Sequence, residues 1–176
     1  IRNEALGFLN IAEDATYEQM EQYYPKALSA YIDKGIELDI LDEELKNYDL
    51  VKLGNAIDHT RDNQFTYLGL QTLYDRYFIH SDEIRYELTQ VFFMRVAMGL
   101  AIEEEEREER TIEFYRLLSS FDYMSSTPTL FNSGTKRPQL SSCYLTTVPD
   151  DLDGIFGAIK DDALLSKWAG GLGNDW

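Results

Sequence analysis

The chain has a single cysteine, Cys143, and it is the first side chain to weigh for covalent or redox chemistry. A thiol becomes a nucleophile once deprotonated, and two thiols supply a pair of electrons by closing to a disulfide. One cysteine cannot make that pair within the chain, and a lone Cys in a strand also reads as a small buried hydrophobe. Cys143 follows Ser141 and Ser142, however, a polar setting able to hold a substrate. Upstream lies Ser126-Thr127-Pro128-Thr129, where Pro128 biases Thr127 toward an extended backbone. Such a threonine can offer its hydroxyl and nearby N–H groups to a phosphate; the plainer alternative is an ordinary turn. Downstream, Ala169-Gly170-Gly171-Leu172-Gly173-Asn174 would let a ligand approach the backbone. Its spacing fits neither the dinucleotide nor the P-loop pattern, and a helix C-cap followed by a turn explains it as well. Asp150 and Asp151 either cap a helix or place a carboxylate to accept from a sugar hydroxyl.

Two histidines, His59 and His80, stand far apart with no second ligand at helical spacing, so no metal site is expected through them. Asp58-His59-Thr60-Arg61-Asp62 reads as a surface turn with local ion pairs, each worth little.

The elements that must position these groups fall into two kinds. Up to about residue 124 the pattern is helical. Tyr17 to Ile32 is rich in aromatic and aliphatic residues, with Thr16 and Gln19 spaced as a capping box, Gly35 placed to end the helix, and Pro25 expected to kink or split it. Asp42 to Tyr48 and Asp49 to His59 read as short helices, and Phe65 to Ile79 as a longer one. Thr89 to Ile102 is apolar almost all round, which predicts a buried helix. Glu103 to Arg110 is an unbroken charge run, read as a connection and the acidic first turn of a helix carrying Ile112, Phe114, Tyr115, Leu117, Leu118 and Phe121. From Ser125 the character changes: a Ser/Thr/Pro/Gly/Asn-rich loop to Arg137, a strand over Ser142 to Val148 ended by Pro149, then a helix over Leu152 to Trp168 with Ile155, Phe156, Ile159, Ala163 and Leu164 on one stripe, and the glycines. The predicted architecture is a helical domain, 1–124, followed by the opening of an α/β domain, 125–176.

The net charge of −16 repels polyphosphate at long range and argues against a broad nucleic-acid face, while leaving room for a small phosphate pocket built from N–H groups and hydroxyls. With 44% hydrophobic residues the chain can bury a sizeable core. One cysteine suits a reducing, cytoplasmic setting. The most apolar run, Val91 to Ile102, is too short for a bilayer and contains Arg95, so no membrane association is expected. The start at Ile1 without Met and the stop after a glycine-rich stretch suggest a piece of a longer protein.

Three strings together carry a resemblance: Ser126-Thr127-Pro128-Thr129-Leu130-Phe131-Asn132, Arg137-Pro138-Gln139-Leu140-Ser141-Ser142-Cys143 and Ser166-Lys167-Trp168-Ala169-Gly170-Gly171-Leu172-Gly173. In that order and spacing they resemble the large, catalytic subunit of class I ribonucleotide reductases, with fainter likeness at Ile57-Asp58-His59-Thr60-Arg61-Asp62 and Tyr67. The resemblance implies a helical segment followed by the start of a ten-stranded α/β barrel. It implies that Cys143 is the first of a redox-active cysteine pair, that Thr127, Ser142, Ala169 and Gly170 contact substrate, and that Asp150 and Leu152 adjoin a deoxynucleotide effector near a dimer interface. It further implies no metal or cofactor in this chain, a radical supplied by a metal-containing small subunit, ATP or deoxynucleotide effectors, and a thioredoxin or glutaredoxin as reductant. The other catalytic groups would lie beyond Trp176, so the segment alone is expected to be inactive. A different class remains open on composition: a non-catalytic helical module whose acidic surface binds a basic partner.

Overall fold

The computed structural model describes residues 1–167 and 170–175. In chain order the elements are α1 (Arg2–Phe8), α2 (Met20–Glu37), α3 (Leu50–Asn55), α4 (Tyr67–Arg76), the short strands β1 (His80–Ser81) and β2 (Ile84–Arg85), α5 (Thr89–Leu100), α6 (Arg107–Ser119), α7 (Thr127–Asn132), β3 (Cys143–Thr147), α8 (Leu152–Lys167) and β4 (Gly171–Asp175). Turns of 3₁₀ helix span Glu43–Asn47 and His59–Gln64. The chain is mainly helical, with a small parallel sheet near its C-terminal end.

Helix α5 is the centre of the core. Every residue from Thr89 to Met98 is buried, as its all-round apolar pattern predicts. It packs against α6, α2 and α7. Helix α2 presents Met20, Tyr24, Ala27, Leu28, Tyr31 and Ile32 to the same core. Pro25 does not split it: a single helix of 18 residues runs through the proline. A proline inside a helix costs about 3 kcal/mol, whereas each large apolar side chain that the helix buries returns roughly 1.5–3 kcal/mol. Nor does Gly35 end α2. It lies within the last turn, where its missing side chain makes room for Leu41. Short polar side chains start α3 and α4, Asp49 accepting from Lys52 N at 2.9 Å and Thr66 from Gly69 N at 3.2 Å.

Two elements depart from the sequence pattern. The stretch from Ser125 to Arg137 is not all loop, because Thr127 begins α7, with Pro128 in its first turn. The extended residue is Ser126 (φ −66°, ψ 159°), one position earlier than expected. Proline fits the first turn, where a backbone N–H has no helical partner to lose. The glycine-rich stretch likewise is not a turn but strand β4, parallel to β3 with Cys143 opposite Gly171 and Thr147 opposite Asp175. Together β3, α8 and β4 make one βαβ unit. The antiparallel pair β1–β2 was not legible in the sequence; Asp82 in its turn has φ 52°.

Of the stripe expected on α8 only Ile155 is half-buried; Phe156, Ile159, Ala163 and Leu164 are exposed, Phe156 at 64%, as is Leu152, and the buried residue of the helix is Ala158. The outward set forms an apolar face that is uncovered among the described residues. Among the described residues, no helix is long and apolar enough to cross a membrane.

Candidate functional site

A cleft of about 1050 Å³ lies between α7, the segment that follows it and the end of α8. Thr127, Pro128, Phe131 and Asn132 of α7 form one wall; Arg137, Pro138, Gln139 and Ser142 form another, and Lys167 closes the side. The second wall is folded back onto the first by two hydrogen bonds. Asn132 Nδ2 donates to the Gln139 carbonyl at 2.8 Å, and the Thr129 hydroxyl donates to the Leu140 carbonyl at 3.3 Å. Thr127 and Ser142, both expected at a site, therefore line one cavity. The Thr127 hydroxyl sits 3.1 Å from the Tyr77 hydroxyl.

Cys143 is the residue after Ser142 and the first of β3. It is exposed, with a free thiol, and does not itself line the cleft. Across the sheet, Gly171 N donates to Ser142 O at 2.8 Å, and a Cβ built on Gly171 would lie 3.5 Å from Cys143 Sγ. A glycine at this register position leaves space beside the sulfur. Gly170 is half-buried outside the cleft, under the Tyr144 ring, where a Cβ would come within 2.7 Å of Tyr144 Cε2. Ala169 lies outside the described residues.

Asp150 and Leu152 stand at the opposite end of β3 from Cys143. Both are exposed, Leu152 at 72%. The cap of α8 comes from Asp151, which accepts from Gly154 N at 2.9 Å. Asp150 thus leaves the capping role to its neighbour.

Sequence reasoning missed three groups at this site. Tyr77 holds the Thr127 hydroxyl. Gln139 lines the cleft with a side-chain amide whose nitrogen and oxygen are both shielded and have no partner among the described residues. An orphaned amide of this kind is unfavourable unless something completes its hydrogen bonds. The third is Arg95, a charge inside an apolar run. It is fully buried with Glu87, Nε to Oε1 at 2.8 Å, and its remaining donors reach the carbonyls of Leu130 at 3.1 Å and Ser133 at 2.7 Å. Burial works against its charge, but Glu87 and then Tyr31 outweigh it, and its pKa stands above the usual arginine value. Arg137 and Lys167 place two basic side chains along the cleft.

Residues 63–138 match the family described as the ribonucleotide reductase all-alpha domain. The ribonucleoside-diphosphate reductase subunit alpha of Chlamydia muridarum is 56% identical over 160 residues, covering 90% of this chain and 15% of the relative. That of Chlamydia trachomatis is 51% identical over 177 residues, covering all of this chain and 16% of the relative. The chain belongs to the ribonucleotide reductase large-subunit family. A more distant relative, the corresponding subunit of Helicobacter pylori, is 43% identical over 161 residues, covering 91% of this chain and 20% of its own length. The chain thus spans between 15% and 20% of these ribonucleotide reductase subunits. The all-alpha match runs from the 3₁₀ turn before α4 to the loop after α7, so it includes Arg95, Tyr77, Thr127 and one wall of the cleft, and stops short of Cys143.

Proposed function

We propose that the chain is part of the catalytic subunit of a class I ribonucleoside-diphosphate reductase, and that the cleft between α7 and the loop before β3 receives the substrate. The observation that carries this reading is that Thr127 and Ser142 line one cavity while the next residue, Cys143, bears the chain's only thiol. Thr127 serves the diphosphate and Ser142 the ribose, with the backbone at Ala169 and Gly170 close to the substrate. Cys143 is the first member of a dithiol whose partner lies elsewhere in the full-length protein. A thiyl radical on a further cysteine takes the 3′ hydrogen and returns it once the 2′ carbon has been reduced, which regenerates the thiyl. The dithiol then gives two electrons and two protons: the 2′ hydroxyl leaves as water, a hydrogen replaces it, and the two sulfurs join. A thioredoxin or glutaredoxin dithiol reduces that disulfide by exchange.

In this reading residues 1–124 form the helical N-terminal domain and residues 125–176 begin the barrel, of which the βαβ unit is the part in hand. The radical comes from a metal-containing small subunit. ATP and deoxynucleotides regulate the enzyme, and Asp150 and Leu152, exposed at the start of α8, contact the effector. The apolar outer face of α8 suits the homodimer contact, and the setting is cytoplasmic.

The test is Cys143→Ser in the full-length protein, assayed with its radical-supplying partner. Turnover supported by thioredoxin or dithiothreitol should be lost while effector binding, measured by calorimetry, is unchanged. Normal turnover in this variant would overturn the assignment.

A further inference from the structure

Arg95 and Glu87 form a fully buried ion pair at a place where the core could have been apolar. Burying two charges is expensive, and well-packed hydrophobic residues often replace such a pair without loss of stability. What this pair touches is therefore informative. The Arg95 side chain reaches the C-terminal end of α7. Nη2 donates to the Leu130 carbonyl at 3.1 Å, and Nη1 to those of Ser133 at 2.7 Å and Phe131 at 3.4 Å. A six-residue helix has few internal hydrogen bonds, and its last carbonyls need partners. Here a guanidinium supplies them. The contact is reinforced by Ser133 Oγ donating to Val96 O at 2.7 Å and by the close approach of Gly134, at φ 75°, to the Arg95 backbone.

The other half of the pair reaches the segment that follows α4. Glu87 Oε2 accepts from Ile79 N at 3.0 Å, and Glu87 Oε1 accepts from the Tyr31 hydroxyl at 2.6 Å. Ile79 is two residues from Tyr77, whose hydroxyl meets Thr127 and whose ring packs on Phe131 at 5.0 Å. One ion pair thus anchors both the helix that carries Thr127 and the segment that carries its hydrogen-bonding partner.

We propose that Glu87 and Arg95 are positioning residues for the cleft: gripping α7 through its carbonyls and the Tyr77 segment through Ile79 N, they fix where the Thr127 hydroxyl stands. The proposal rests on the reading of the cleft as the substrate site. It explains why a charge sits in the most apolar helix of the chain.

The experiment uses the full-length enzyme with its radical-supplying partner. Replacing Arg95 alone would strand the Glu87 charge and risk unfolding, so the informative variant is Glu87→Gln with Arg95→Met. It removes both charges, keeps one amide oxygen to accept from either Tyr31 or Ile79 N, and deletes the grip on α7. Arg95→Lys serves as the conservative comparison. Amide hydrogen exchange over residues 127–135 should quicken while α2 and α5 stay protected. KM for the nucleoside diphosphate should rise about tenfold, equivalent to roughly 1.4 kcal/mol of lost binding, with kcat within about twofold. Arg95→Lys should restore part of both. Unchanged exchange in 127–135 overturns the proposal. So does quickened exchange with an unchanged KM, provided Thr127→Ala alone raises KM. If Thr127→Ala also leaves KM unchanged, the assignment of the cleft to substrate is what has failed, and the positioning role falls with it.

Discussion

The hydroxyls of Tyr77 and Thr127 are 3.1 Å apart, which joins the segment after α4 to the first residue of α7. Neither residue is held there by its own element alone. Tyr77 also packs its ring against Phe131, so the aromatic and the hydroxyl contribute separately. Tyr77→Phe keeps the packing and removes one partner of the Thr127 hydroxyl. A neutral hydrogen bond is worth about 0.5–1.5 kcal/mol, so KM for substrate in the full-length enzyme should rise roughly two- to tenfold while the melting temperature barely moves. Equal KM values for wild type and Tyr77→Phe would mean that this contact does not orient Thr127.

Asp62 supplies a prediction for pH. It accepts from the Tyr24 hydroxyl at 2.6 Å and from Gln90 Nε2 at 2.8 Å. Burial raises its pKa above the ordinary value of 3.8, and the hydrogen bonds from Tyr24 and Gln90 offset this only in part. The folded state therefore binds this proton more tightly than the unfolded state. The resulting stabilisation is complete below the unfolded value and is lost as pH rises through the folded value. Asp62→Asn cannot titrate. Measured by urea melts at successive pH values, its stability relative to wild type should improve as pH rises through that window. A difference that stays flat with pH would contradict the perturbed carboxyl.

Gly99 tests how closely α5 meets the segment after α7. A side chain there would run into the Gly134 backbone and Ser133 Oγ. On an exposed helix, Gly→Ala gains about 1 kcal/mol; here overpacking should cost about 1–3 kcal/mol. The sign alone decides. Chemical denaturation of Gly99→Ala showing a gain in stability would place the segment 133–135 further from α5 than described.

What the sequence disclosed follows the range of the forces involved. Helix α5 was legible because a run that is apolar on every side can only be buried, and the α8 cap was legible because Asp151 acts on an amide three residues away. Helix α7 was not, since Ser, Thr, Pro and Asn suggest loop and the groups that complete its carbonyls belong to Arg95, more than thirty residues earlier. Strand β4 was hidden for a similar reason: glycine has little preference for a strand, and only pairing with β3 makes it one. At the cleft, Thr127 and Ser142 were anticipated from the motifs that contain them. Tyr77 and Gln139 were not, because their roles arise where segments distant in sequence meet.

The parallel pairing of β3 with β4 has a consequence for the order of events in folding. Helices α5 and α6 are consecutive and joined by a short connection, so their contacts close a small loop. The two strands instead meet only after the whole of α8 has crossed between them, and loop closure must come before any reward from pairing. The helical part should thus reach its final form first, leaving Cys143 on a flexible, fully wetted strand in the interim. During synthesis and refolding that thiol is open to adventitious oxidation, and the finished fold, in which it is still exposed, does not close it off.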